Sequence, residues 1–342
     1  MKLDSEIFES EIAFENAFVD GLQKMLLSDE LGAFILVLAN ACYEATLFER
    51  MKSALRERFA YWGERAEEDD FKQQFAVDDV KVFQSLQALG FDNITSSVFR
   101  MAGIWQLQFN ALRSFRPARN AHQLVDSIES PFNDNGFHFN KPFLAKEIFW
   151  EGDMADRPAR LLYNKFPFAP LHGLLVIDPQ DNKPQFLTAK DHELIWQLAA
   201  EVGETLPIGI GYNATGAFAS VNHQHFQTFV SRKKLPVELS CWQHNGGSMP
   251  YPLDCYRFIT SEDAWRHIET LHASNRPYNL LFRTGELFCV SRNFQGSYEQ
   301  ASWTSGFAWS EVCGQISVAD AASFHSLNEQ QIEDEMTRLR RF

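Results

Sequence analysis

Two histidines and a glutamine alternate through VNHQHFQTF, Val221–Phe229: His223, His225 and Gln227. On a strand, alternate residues share a face. Val221, His223, His225, Gln227 and Phe229 then lie on one side, and Asn222, Gln224, Phe226, Thr228 and Val230 on the other. Three convergent polar groups on a rigid element can hold a metal, act at phosphorus, or simply meet solvent. The metal reading needs a third ligand, usually a carboxylate four or five residues on. Phe229 and Val230 stand there, and the nearest downstream carboxylate is Glu238, past Pro236. No metal is therefore expected. At phosphorus, a neutral imidazole is a competent nucleophile near pH 7. A neighbour must keep its second nitrogen as N–H, and other groups must donate to the non-bridging oxygens as charge builds. Glutamine can donate such a bond but cannot act as a general acid.

The elements that must carry these residues divide the chain. Residues 1–100 are expected to be helical. Ile7, Phe8, Ile12, Phe18, Val19, Leu22 and Leu26 recur at helical spacing, and a second long helix is expected from about Glu30 to Glu67. SVFRMAGIWQLQF alternates like a strand, after which Pro117, Pro131 and Pro142 punctuate a loop-rich stretch. Three strand-like runs follow, FLAKEIFW, ARLLYNKFPF and HGLLVID. A helix over Thr188–Val202 has Thr188 as N-cap and Asp191 three residues later. PIGIGYN then leads into the histidine strand. Its paired glycines lack the third glycine and the helix of a dinucleotide fingerprint. From Cys241 a second unit brings a helix bearing Trp265, Ile268 and Leu271, a hairpin turning at Thr284-Gly285, and a charged terminal helix. Strands, then a helix, then antiparallel-type strands predict an α+β fold with segments 1–100, 101–240 and 241–342. A faint echo between LLYN…LLVI and YNLLF…FCV suggests two related half-units.

Bulk properties narrow the partners. The net charge of −14 argues against nonspecific binding to nucleic acid or an anionic membrane. The longest apolar run, Leu31–Tyr43, falls short of the ~20 residues a span needs and contains Asn40. Five cysteines without a CxxC pair argue against a disulfide framework or a zinc ribbon and fit the reducing cytoplasm.

The approach to the histidines, GYNATGAFASVNHQHFQTF (Gly211–Phe229), resembles the histidine-triad superfamily in its transferase branch, where the last triad position is Gln. Within that branch it is most similar to the GDP-hexose phosphorylases, GDP-L-galactose and GDP-D-glucose phosphorylase. The run from Arg113 and Arg116-Pro117 through Pro131-Phe132 to Phe137-His-Phe-Asn140-Lys141 is similar to another stretch of that family. LLYNKFPFAPLHGLLV (Leu161–Val176) instead looks like the diadenosine tetraphosphate phosphorylases. The resemblance implies a histidine-triad fold and transfer of a nucleoside monophosphate through a covalent nucleotidyl-histidine, with no cofactor. The donor would be a nucleotide-sugar of the GDP-hexose type or, alternatively, a dinucleoside polyphosphate. The acceptor would be inorganic phosphate or a sugar phosphate. A non-catalytic nucleotide-binding protein is the rival from another class, and a homodimer is compatible with the resemblance. Carried over, His225 is the nucleophile, His223 sets geometry, and Gln227 binds the α-phosphate. Ser220 and Asn213 would contact phosphate or ribose, and Gly216 and Ala217 would bring backbone N–H groups to the phosphates. Lys165 with Asn164, and Arg113 with Arg116, would meet polyphosphate.

Overall fold

The computed structural model describes residues 6–116 and 124–340; Pro117 lies outside the described residues. The N-terminal region is helical: α1 (Glu11–Leu26), α2 (Leu31–Ala41), α3 (Ala45–Arg65), α4 (Phe71–Gln74) and α5 (Val77–Leu89). Ser10 starts α1 by accepting the Ala13 N–H. The long helix expected over 30–67 is two helices, broken after Ala41. Helix α2 is buried on every face, whereas α3 buries only the stripe of Leu47, Phe48, Met51, Leu55 and Trp62. One straight rod cannot satisfy both patterns. At the break the Cys42 carbonyl accepts from the Ser97 N–H and the Asn110 amide.

The alternating run near residue 98 is a hairpin, β1 (Val98–Ala102) and β2 (Trp105–Phe109), turning at Gly103 with φ 60. A short helix α6 (Ala111–Ser114) follows. Then come β3 (Ile148–Met154), β4 (Arg157–Tyr163), β5 (Gly173–Ile177), α7 (Ala189–Val202), β6 (Ile208–Asn213) and β7 (Phe226–Val230). The last part adds β8 (Asp254–Phe258), α8 (Ser261–Ala273), β9 (Tyr278–Arg283), β10 (Glu286–Ser291), α9 (Trp309–Val312), β11 (Gln315–Ser317), α10 (Ala321–Ser326) and α11 (Glu329–Arg338). Thr188 caps α7 through the Asp191 N–H, and Gly285, at φ 71, turns β9 into β10.

Strands β3 to β10 form one antiparallel eight-stranded sheet in the order β3-β4-β5-β7-β6-β9-β10-β8. It runs unbroken across residue 240 through the β6–β9 ladder. A second sheet pairs β2 with both β1 and β11, tying residue 106 to residue 315. Residue 100 lies within β1. The three sequence segments thus share their sheets and cores.

The sheet has two unlike faces. Leu161, Leu175, Phe226, Ile210, Leu280 and Phe282 point into the core built by α1, α2, α5, α7 and α8. The opposite face carries Leu162 and Val176 toward one cluster, and Phe229, Leu281 and Phe288 toward another that includes Trp309. The functional residues gather on this second face.

Asn40, the polar residue inside apolar α2, is buried and clasps the two parts. Its amide donates to the Leu36 carbonyl and to the Asn164 carbonyl on the loop after β4, both at 2.9 Å. Replacing it with leucine leaves the Asn164 carbonyl without that donor, a loss of about 1–3 kcal/mol. Urea unfolding of Asn40→Leu should show a lower midpoint; an unchanged midpoint contradicts the clasp.

Candidate active site

Only Gln227 of the three polar residues stands on a strand. The β7 ladder begins at Phe226, and His223 and His225 lie on the loop before it. The cause is a side chain that sequence reading missed. Where β6 and β7 would continue to pair, the Gln185 amide intervenes: its Nε2 donates to the Asn213 and His225 carbonyls at 2.9 and 3.2 Å. Its Oε1 accepts the His225 N–H at 2.9 Å. A side-chain amide thus replaces a strand partner and opens the end of the sheet. The alternation of faces survives the break. Val221 and Phe229 reach the clusters on the site face, and Phe226 and Val230 the helix-covered core.

The open turn sets the tautomer of His225. Its Nδ1 lies 2.8 Å from the His223 carbonyl oxygen. A carbonyl only accepts, so Nδ1 carries the proton and Nε2 keeps its lone pair. His225 is buried, and burial pushes its imidazole down to about 4, the bond to the His223 carbonyl opposing. It is therefore neutral near pH 7. His223 has the other arrangement. Its Nδ1 accepts the Phe139 N–H at 3.1 Å. Burial, then the charges of His225 and His138, lower it to about 4 against a hydrogen bond that His223 donates to the Pro179 carbonyl. The Phe139 ring packs 5.0 Å from His225 and 5.6 Å from His223, centroid to centroid.

Gln227 is oriented by two donors. The Trp309 indole N–H reaches its Oε1 at 2.9 Å. His172 Nε2 reaches the same oxygen at 3.2 Å, its Nδ1 being occupied by the Phe168 N–H at 3.3 Å. With the oxygen fixed by donors, the Gln227 NH₂ is the end left to donate. His172 is fully buried; burial, with the charge of Arg113, holds it down to about 3. Gly211 makes room for Trp309: a Cβ there would lie 2.4 Å from the indole.

The other residues singled out by sequence divide. Arg113 lies beside His172, its guanidinium 4.6 Å from the Phe168 ring and bonded to the Phe166 carbonyl at 2.7 Å. Burial brings it down to about 10, Arg116 pushing the same way and Glu311 opposing. Arg116 and Ser220 are exposed. Asn213 is buried, and its Oδ1 accepts from the Trp309 N–H at 2.8 Å and the Asn279 amide at 2.7 Å. Gly216, at φ 81, forms the turn before the histidines, with Phe294 against it. The Ala217 N–H goes to the Ala214 carbonyl, so this backbone donor is taken up within the turn. Lys165 is ion-paired to Asp79 of α5 at 2.5 Å. Asn164 accepts the Phe166 N–H through its side chain. Lys165 and Asn164 thus hold the loop that presents His172. Gln185 and Trp309 carried no signal in their local sequence, and Phe139 entered only as part of the Phe137–Lys141 run. His172 entered only within the Leu161–Val176 resemblance and at the start of the apolar run HGLLVID.

The fold is α+β, an antiparallel eight-stranded sheet with a helical N-terminal region. The crystal structure of yeast Ap4A phosphorylase Apa2 in complex with Ap4A superposes with a TM-score of 0.50 at 14% identity, over 77% of this chain and 97% of that one. At that identity the likeness concerns the fold alone. Residues 104–229 match the family model described as GDPGP1-like, N-terminal domain. GDP-L-galactose phosphorylase 2 of Arabidopsis thaliana is 30% identical over 132 residues, 33% of this chain and 30% of that one. GDP-D-glucose phosphorylase 1 of Danio rerio is 31% identical over 141 residues, 39% of this chain and 38% of that one. The match thus spans about a third of these relatives' length.

The buried neutral histidines make stability depend on pH. His172, His223 and His225 have folded values of about 3, 4 and 4, below the 6.5 of a free imidazole. Between 6.5 and about 4 the unfolded chain binds protons that the folded one does not. Stability is full above 6.5 and falls as pH falls, by roughly 1.4 kcal/mol per pH unit for each such histidine. Urea unfolding at pH 7 and at about pH 5 reads this difference; equal stability at both contradicts the neutral cluster.

Proposed function

We propose that the chain is a nucleotidyltransferase of the phosphorylase type, working through a nucleotidyl-histidine on His225. The observation that carries this is the 2.8 Å contact of His225 Nδ1 with the His223 carbonyl, which leaves Nε2 as an unprotonated nucleophile. In the first step the Nε2 lone pair forms a bond to the α-phosphorus of the donor. The bond from that phosphorus to its bridging oxygen breaks, and the oxygen leaves on the departing phosphate. In the second step an oxygen of inorganic phosphate attacks the same phosphorus, and the P–N bond breaks to return His225 to its neutral form. Two in-line displacements give retention at phosphorus.

Gln227 donates its NH₂ to a non-bridging oxygen as charge accumulates. It offers no proton to the leaving group, and a departing phosphate of low basicity needs none. Arg113, whose bond to the Phe166 carbonyl leaves donors of its fork to spare, and Arg116 supply positive charge beside the His172–Gln227 pair. Ser220 contacts phosphate at the mouth of the turn. Asn213, Gly216 and Ala217 shape that turn, and Lys165 with Asn164 positions the His172 loop. The donor is a GDP-hexose, the substrate class in the names of the curated relatives. All five cysteines are free thiols, in keeping with the cytoplasm as its compartment. No helix among the described residues is long and apolar enough to cross a membrane.

Incubation with GDP-glucose carrying radiolabel at the α-phosphorus should leave acid-labile label on the protein, and His225→Ala should abolish it. Label from diadenosine tetraphosphate alone would move the donor to the dinucleoside polyphosphates. No label from either donor would sink the covalent route. Trp309→Phe keeps the ring but removes the N–H that orients Gln227. It should lower kcat roughly tenfold or more with little change in KM, because a misaimed donor fails mainly in the transition state. An unchanged kcat would remove Trp309 from the account.

A further inference from the structure

A cleft of about 410 Å³ opens at the outer edge of the sheet, and no step above uses it. Phe139 is its shared wall: the ring that packs on His225 also lines the cleft. The floor is the edge strand β3, where Phe149 bulges out of the β4 register and has no ladder partner. Its walls carry Asn140, Lys141, Glu151 and Arg160. Glu151 and Arg160 face each other across the β3–β4 ladder. One carboxylate oxygen of Glu151 takes the Arg160 Nε–H at 2.6 Å, and the Asn140 side-chain Oδ1 takes another of its N–H groups at 3.3 Å. Lys141 donates to the neutral Asp134 carbonyl at 3.0 Å. The cleft therefore presents, side by side, a carboxylate that accepts and a guanidinium that donates.

From this juxtaposition we propose that the cleft binds the nucleobase of the donor and that Glu151 with Arg160 selects guanine. The inference rests on the reading of His225 as the nucleotidyl acceptor and deepens it. Guanine carries two donors, N1–H and the exocyclic NH₂, on one edge, and two acceptors, O6 and N7, on the next. A carboxylate complements the first edge, and an arginine fork the second. Adenine places an acceptor at N1 and a donor at N6, so it meets the Glu151 carboxylate with a lone pair and Arg160 with an N–H. Pyrimidines lack the N7 edge. Lys141 lies where the ribose or its phosphate enters from the Phe139 side.

Calorimetric titration of the full chain with GMP and AMP tests this without turnover. GMP should bind roughly tenfold or more tightly than AMP, the discrimination a good bidentate contact gives. Glu151→Gln and Arg160→Gln should each weaken GMP about tenfold and leave AMP unchanged. Glu151 is on the surface, so its variant is expected to fold, and an unaltered thermal transition checks this. Equal affinities for GMP and AMP, no GMP binding, or a folded Glu151→Gln that keeps full GMP preference would each overturn the assignment. The two readings fail separately. GMP selectivity with no label trapped on His225 retains the base site and removes the covalent step. Trapped label with no base preference does the reverse.

Discussion

The site depends on one hydrogen bond, from His225 Nδ1 to the carbonyl two residues earlier in its own chain. A regular β-strand directs carbonyls to neighbouring strands, so this contact requires the chain to leave the sheet before residue 226. Gln185 makes that departure possible at little energetic loss, because its amide replaces the ladder bonds that Asn213 and His225 give up. Other side chains hold the same turn. The Asn222 amide donates to the carbonyls of Ser130 and Pro131. Gln224 donates to Asp191, itself bound by Arg157. A histidine on a loop is thereby held from several sides.

Burial does the rest. A histidine used as a nucleophile must be neutral, and the low dielectric around His225 keeps it so well below neutral pH. The same surroundings make each polar contact count. Gln227 is aimed by Trp309 from the far end of the chain and by His172 from the loop that the helical region clasps through Asn40 and Asp79. The N-terminal helices, the eight-stranded sheet and the C-terminal segment thus all reach one amide. This explains why the sheet crosses residue 240 without a break.

Much of this was legible in the sequence for a local reason. The α7 cap at Thr188, the hairpin at Gly285 and the apolar strands follow rules that act within a few residues. The face shared by His225, Gln227 and Phe229 was legible because alternation survives a broken ladder. The strand's early end was not, since the interrupting group, Gln185, lies forty residues earlier. Nor was the break in the long helix, because it reflects what each half packs against and not the propensity of residues 42–44. Lys165 read as a phosphate ligand because its partner Asp79 comes from a region with no local link to the site. Trp309 gave no sign, because its contact with Gln227 exists only once distant segments meet.

The central claim is the tautomer of His225, and nitrogen NMR of ¹⁵N-histidine-labelled protein reads it directly. At pH 7 the His225 resonances should show a protonated Nδ1 and an unprotonated Nε2, assigned by their loss in His225→Ala. A proton on Nε2 would mean that the ring cannot attack from that nitrogen, and the account of the site would fall with it.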